Sequence, residues 1–177
     1  DRGLVGSEMC IRDSLNSSNT NPRVVDIEQI TINNFQHDAI YSKSPYDKTR
    51  IDNVIISHCR SGIVDSGGDI DVIHNSSITN ASKYAIDLDS MDGQSLVANN
   101  SIQGVQAGAG SSAGVNINGS HAAQSVIVEG NTIKDTQAGV RIEVGSGYPG
   151  LNSISNNTLR DNTIGVYSKT SSGSTNM

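Results

Sequence analysis

Apolar and polar positions recur along the chain in one short pattern. An apolar residue is followed five positions later by a second one, and Asn or Ser stands two positions before the second. Six copies occur, at residues 30–35, 54–59, 73–78, 97–102, 128–133 and 154–159. Their starting points lie 24, 19, 24, 31 and 26 residues apart, which excludes a rigid repeat but suits stacked units joined by loops of different length.

Each copy is followed by a small residue and then a β-branched one. These pairs stand at positions 39–40, 62–63, 85–86, 114–115, 139–140 and 165–166. The short strands that both patterns predict cannot bury their apolar residues within one repeat, so successive coils must stack edge to edge. The sequence therefore predicts an all-β solenoid of about six coils, roughly 30 Å long at the usual strand spacing.

The Asn positions of the pattern predict a ladder at one turn. Asn tolerates the left-handed backbone conformation of a tight turn, and its side-chain amide can bond the same group one coil away. The predicted ladder residues are Asn33, Asn100, Asn131 and Asn157.

This combination resembles the right-handed parallel β-helix of the pectin lyase-like superfamily, which carries an asparagine ladder. The resemblance covers about residues 24–168. It implies that the strand with the small and β-branched pair belongs to the first sheet, and that the Asn-bearing turn is the second turn of each coil. It also implies an extracellular or cell-surface location, and a polysaccharide groove on the outer side of the first sheet.

Composition supports strands and excludes some partners. The chain has 20 Ile and 14 Val against six Leu, and β-branched residues favour pleated surfaces. Its net charge is −6 with the charges scattered, so no basic stripe exists for a nucleic-acid backbone. No run of about 18 apolar residues predicts a membrane span. The oligomeric state is left open.

Residues 4–14 stand apart from the repeats. The run LVGSEMCIRDS resembles the translation of a transposase-type sequencing adapter. On that resemblance residues 1–14 are an artefact that makes no structure coupled to the helix, and the native N-terminus is missing. Residues 15–23 are then a polar lead-in, 24–168 the parallel β-helix and 169–177 a Ser/Gly-rich tail.

Strand alternation selects the residues on the outer side of the first sheet. If the β-branched member of each pair faces inward, the next residue faces outward, and so does the residue two positions further on. The residues expected to bind glycan there are Tyr41, Asp87, Asn116, Asn118, Arg141, Glu143 and Tyr167. The alternative is an ordinary solvated sheet surface, since exposed polar residues are the default.

Two acidic segments follow successive strands of the first sheet. Carboxylates that converge from neighbouring loops suit a hard cation, so Asp65, Asp69, Asp89 and Asp92 form a candidate Ca²⁺ site. The alternative is that Asp and Gly are turn formers here. No other cofactor is indicated.

Cys59 is the one cysteine outside the adapter-like segment. It occupies the second apolar position of its copy, in the column of Phe35, Ile78, Ile102, Ile133 and Leu159, which predicts a buried small hydrophobe.

Catalytic motifs of well-marked β-helix enzymes are incomplete in the chain. The polygalacturonase signature would include Gly-His-Gly and Arg-Ile-Lys, whereas the chain has only Arg141-Ile142-Glu143. Alginate epimerases carry Asp-Pro-His-Asp, of which only His37-Asp38 remains. The sequence thus favours a non-catalytic module for adhesion or glycan binding. The alternative is part of a polysaccharide lyase, glycoside hydrolase or epimerase that acts on the first-sheet groove.

Overall fold

The computed structural model describes residues 11–13, 23–43, 47–67, 69–89, 93–105, 112–119, 125–145 and 151–170. All regular elements in these ranges are β-strands. They are β1 (Ile11–Asp13), β2 (Arg23–Glu28), β3 (Thr31–Asn33), β4 (Ile40–Ser42), β5 (Asp47–Asp52), β6 (Ile55–Ser66), β7 (Asp69–His74), β8 (Ser77–Asp89), β9 (Gln94–Ala98), β10 (Ser101–Gln103), β11 (Ala113–Gly119), β12 (Ser125–Glu129), β13 (Thr132–Lys134), β14 (Ala138–Val144), β15 (Leu151–Ser155), β16 (Thr158–Arg160) and β17 (Ile164–Thr170).

The strands stack in parallel on three faces. Face 1 consists of β1, β4, the second halves of β6 and β8, β11, β14 and β17. Face 2 is a six-stranded sheet in the order β15-β12-β9-β7-β5-β2, and face 3 consists of β3, the first halves of β6 and β8, β10, β13 and β16. The six strands of face 2 are separated by five turns of the chain, which confirms the predicted parallel solenoid with a similar number of coils.

On each face, a column of β-branched residues points inward and packs into one continuous core. The fully buried members are Ile63, Ile86, Val115 and Val140 on face 1, Ile51, Ile73, Val97 and Val128 on face 2, and Ile56, Ile78, Ile102 and Ile133 on face 3. Burying one such side chain contributes about 1.5–3 kcal/mol. Because each column continues from coil to coil, stacking supplies the burial that a single coil lacks.

The small residue of each pair lies where the chain bends into face 1. A side chain at Gly62 would place its Cβ 2.5 Å from the carbonyl oxygen of Ala85, and one at Gly114 would place it 2.8 Å from that of Gly139. At these two bends the neighbouring coil therefore leaves no room for a side chain, whereas two other bends accommodate Ala39 and Ala85.

In the described coils one residue before face 3 and one before face 1 adopt positive φ, and Gly67 after β6 does so as well. The first set is Gln29, Asn53, Asn75, Asn99, Gly130 and Asn156, and the second is Asn34, His58, Asn80, Gly104, Asp135 and Asp161. Asn, Asp and Gly predominate because they tolerate the left-handed region best. The left-handed residue of the first set directly precedes the ladder position. The sequence analysis assigned both the left-handed turn and the ladder hydrogen bond to one Asn, whereas the structure divides them between two neighbouring residues.

The asparagine ladder is confirmed for three of its four predicted members. Nδ2 of Asn100 donates to Oδ1 of Asn131 at 3.0 Å, and Nδ2 of Asn131 donates to Oδ1 of Asn157 at 2.9 Å. Backbone N–H groups also donate into the ladder, including that of Ser76 to Oδ1 of Asn100 at 2.9 Å. Ser76 occupies the ladder column in its own coil, and its Oγ accepts from the backbone N–H of Val54 at 3.3 Å.

Asn33 is not a ladder residue, so that prediction was wrong. It pairs in register with Ser57 on face 3, where its Oδ1 accepts from the Ser57 hydroxyl at 2.6 Å. The ladder residue of each coil directly precedes the face 3 strand. Since Ser77 pairs with Ile55, and Ile55 pairs with Thr31, the ladder position in the first two coils is occupied by Ile30 and Val54. Both of these residues are apolar. In the first two copies of the pattern, the ladder position was therefore predicted three residues too far along the chain.

The N-terminal expectation needs a correction. Residues 11–13 form β1, which pairs in parallel with β4, so part of the 1–14 segment is coupled to the helix. The physical reason is that the β4 edge offers unpaired backbone groups to any extended segment in reach. Residues 1–10 and 14 lie outside the described residues. At the other end β17 extends to Thr170, and residues 171–177 of the expected tail also lie outside them.

In the ranges that the structure describes, no helix is long and apolar enough to cross a membrane.

Candidate functional site

The outer side of face 1 brings the predicted residues into register. Asp87, Asn116, Arg141 and Tyr167 occupy equivalent positions on four successive strands. A second row two residues further along consists of Asp89, Asn118, Glu143 and Lys169. Tyr41 continues the first row two coils away, with Val64 between it and Asp87. The alignment deduced from strand alternation is therefore correct across the face.

Asp87 and Asn116 form a hydrogen-bonded pair. Nδ2 of Asn116 donates to Oδ1 of Asp87 at 2.7 Å. Desolvation by burial raises the pKa of Asp87, and the hydrogen bond from Asn116 acts in the opposite direction. Asn116 is only 4% exposed, although its position is on the outer side. The amide is therefore a supporting group for Asp87 more than a freely accessible one.

Arg141 joins three other side chains on this face. Its Nη1 donates to the Tyr84 hydroxyl at 2.9 Å, and its Nη2 donates to Oε1 of Glu143 at 2.7 Å. Its Cζ lies 6.0 Å from the centre of the Tyr167 ring, within reach of a cation–π interaction. The guanidinium is thus held in place by a carboxylate, a phenol and an aromatic ring.

Tyr84 is a residue of this site that the sequence reasoning missed. It packs with Ala113 and Ala138 in a small cluster separate from the main core, and Tyr167 packs against the same cluster. Lys83 places its Nζ 4.7 Å from the Tyr84 ring centre. Alternation breaks between Tyr84 and Ala85, because Ala85 is buried in the main core whereas Tyr84 contacts Arg141 of the outer row. The signal that would have found Tyr84 is its place directly before the small member of the pair.

The predicted Ca²⁺ site is not assembled as expected. Asp65 pairs in register with Leu88 and is fully buried, and its Oδ2 accepts from the backbone N–H of Ile70 at 3.0 Å. Asp89 belongs to the outer row, in register with Ser66. The two carboxylates therefore lie on opposite sides of the sheet, because adjacent strand positions alternate.

The other two predicted calcium ligands, the side chain of Asp69 and the whole of Asp92, lie outside the described residues. Among those that are described, no three or more His, Cys, Asp or Glu side chains converge as metal ligands.

Cys59 is buried, as predicted. It is 4% exposed, and desolvation raises its thiol pKa to about 11, with a smaller contribution from the negative charge of Asp38. It pairs in register with Ala81, and Phe35 is adjacent through the hydrogen bond from its N–H to the His58 carbonyl. The prediction that Cys59 shares a column with Phe35, Ile78, Ile102, Ile133 and Leu159 was therefore correct for Phe35 only.

Fold and site together define a right-handed parallel β-solenoid with a polar and aromatic outer face. A family model described as "Right handed beta helix region" matches residues 10–159. The chain belongs to this right-handed β-helix family. Comparison with curated proteins gives no match, and neither does comparison with solved structures.

Proposed function

We propose that the chain is a glycan-binding module of a secreted or surface β-helix protein, and that glycan binds along the outer side of face 1. The observation that carries the proposal is the alignment of two polar rows over four strands, with an aromatic ring beside a fixed guanidinium. The face repeats at roughly 4.8 Å per coil, a step comparable to the length of one sugar unit. A linear glycan can therefore meet equivalent groups from coil to coil.

Individual side chains suit distinct parts of a sugar. Tyr167 is half-buried and offers a ring on which a pyranose can stack. Asn118 is exposed and can both donate to and accept from hydroxyl groups. The carboxylate groups of Asp89 and Glu143 can accept hydrogen bonds from sugar hydroxyls.

A carbohydrate-active enzyme is the second candidate. One observation favours it: Asp87 has a raised pKa, and Asp89 lies two residues along the same side of the strand. Two carboxyl groups with different environments are the arrangement that glycoside hydrolysis uses. The incomplete signature motifs count against it, so binding without cleavage is the preferred proposal.

Affinity electrophoresis tests the proposal with a panel of neutral polysaccharides (glucan, xylan and galactan) and acidic ones (polygalacturonate and alginate). We expect at least one polymer to retard the wild-type chain, and Tyr167→Ala to reduce that retardation because the stacking ring is lost. The matched control is Arg160→Ala, an exposed residue on face 3 of the same coil, which should leave retardation unchanged.

The same samples distinguish the two candidates. Retardation with no shortening of the polymer supports binding, and progressive shortening supports the enzyme. Absence of retardation by every polymer would show that face 1 is a solvated scaffold surface.

A further inference from the structure

The guanidinium of Arg141, in the first outer row of face 1, is already engaged. Both Nη nitrogens of Arg141 donate within the protein, one to Tyr84 and one to Glu143. The planar pair of N–H groups that recognises a carboxylate in two-point fashion is therefore divided between two internal acceptors. The Arg141 and Glu143 side chains are 17% and 29% exposed, so solvent only partly screens their ion pair.

Two lysines lie near Arg141, on β8 and β17. Lys83 lies over the ring of Tyr84. Lys169, on β17, pairs in register with Glu143 on β14. Each of these three cations thus has an aromatic or acidic residue beside it.

Acceptor groups are numerous on the same group of strands. Asp87 and Asp89 are on one strand, Asn118 is exposed on the next, and Glu143 has a second carboxylate oxygen besides the one that Arg141 binds. Sugar hydroxyls are donors that match such acceptors, whereas a carboxylate-bearing sugar would meet like charge. Repulsion of this kind gives selectivity as effectively as added attraction.

We propose that face 1 selects neutral, hydroxyl-rich glycans, and that Glu143 determines this specificity by keeping Arg141 from a uronate carboxylate. This inference rests on the proposed glycan binding and adds the chemical class of the ligand. Arg141 then acts as a fixed positioning group between Tyr84 and Tyr167.

The test uses the neutral polysaccharide that retards the wild-type chain and the same polymer with its primary alcohols oxidised to carboxylates. The wild type should be retarded by the neutral form and much less by the oxidised one. Glu143→Gln removes the charge and keeps an acceptor for Arg141, and Glu143→Ala removes both. Each should bind the oxidised polymer on the order of tenfold more tightly than the wild type does, as a gained charged contact of about 1.4 kcal/mol implies.

Two controls make the result specific to this pair. Glu129→Gln changes the net charge equally on face 2, and it should not produce the gain. Adding Arg141→Ala to Glu143→Gln should abolish the gain, because the guanidinium is then absent. Thermal melting of each variant establishes that it is folded, and Glu143→Gln carries the test if Glu143→Ala does not fold.

Each alternative outcome is informative. A wild type that binds the oxidised polymer as tightly as the neutral one overturns the selectivity and leaves glycan binding intact. A gain in Glu129→Gln equal to that in Glu143→Gln overturns the role of Glu143. No retardation of the wild type by any polymer overturns the proposed function itself.

Discussion

Nδ2 of Asn131 lies 2.9 Å from Oδ1 of Asn157 in the next coil, and the same Nδ2 also donates to the backbone carbonyls of Val97 and Glu129. Oδ1 of Asn131 in turn accepts from the side chain and the backbone N–H of Asn100. Asn131 is 1% exposed, so every one of these partners loses its bond inside the protein if the amide is removed.

Asn131→Ala should therefore destabilise the fold by several kcal/mol, since each buried polar group left without a partner costs about 1–3 kcal/mol. Chemical denaturation followed by circular dichroism measures the change. Ser153→Ala, an exposed substitution on β15, is the control and should change the free energy of unfolding by less than about 0.5 kcal/mol. Asn152 is unsuitable as a control, because its Oδ1 accepts from the Val126 N–H at 3.3 Å. Equal effects of the two variants would contradict a ladder that stabilises the stack.

Asp65→Ala should destabilise the protein by about 1–3 kcal/mol. The fully buried carboxylate accepts from the Ile70 N–H at 3.0 Å and thereby fixes the turn between β6 and β7. The control is Asp71→Ala, whose ion pair with Lys48 is 3.5 Å long and exposed, and whose loss should cost less than about 1 kcal/mol. If Asp65→Ala proved no more destabilising than Asp71→Ala, the carboxylate would have no structural role in this turn.

Asp87→Asn should stabilise the protein relative to the wild type increasingly as pH rises from 3 to 7. Burial raises the pKa of Asp87 above its usual value of 3.8, so the folded state holds this proton more tightly than the unfolded state. Its favourable contribution is complete below about pH 3.8 and is lost as pH rises through the folded pKa. Above that pKa the wild type bears the cost of a desolvated charge, which Asn avoids while it keeps an acceptor for Asn116.

Melting temperatures of both proteins over this pH range provide the measurement. Thr132→Ala, an exposed substitution that adds no titrating group, controls for buffer effects. A stability difference that shrinks towards neutral pH would have the wrong sign for a desolvated carboxyl.

Two N-terminal truncations test the adapter interpretation and the contribution of β1 to stability. Removing residues 1–10 should leave the melting temperature unchanged if they derive from an adapter. Removing residues 1–13 should lower it by a few degrees, because β1 pairs with β4 and each lost backbone hydrogen bond costs about 0.5–1.5 kcal/mol. A drop on removing residues 1–10 alone would contradict the adapter interpretation. Identical melting temperatures for both truncations would show that β1 adds no stability.

The sequence determined the architecture because stacked coils repeat the same local requirements. The β-branched column from Ile40 to Val166, and the outer rows beginning at Asp87 and Asp89, follow from alternation within one strand and need only a repeated pattern to align them. The Asn100, Asn131 and Asn157 positions were predictable for the same reason, since the same short word precedes each face 3 strand.

Tertiary structure alone decided the features that depend on bends and on contacts between coils. Ile30 and Val54 are apolar residues in the ladder column, so nothing in their own sequence distinguishes them from core positions, and the polar Asn33 provided a false match. Tyr84 faces outward because alternation breaks at the bend before Ile86. The Arg141–Tyr84 bond joins residues 57 positions apart, on strands that β11 separates. Such a contact depends on where the stacked coils place two long side chains, and no local pattern encodes that distance.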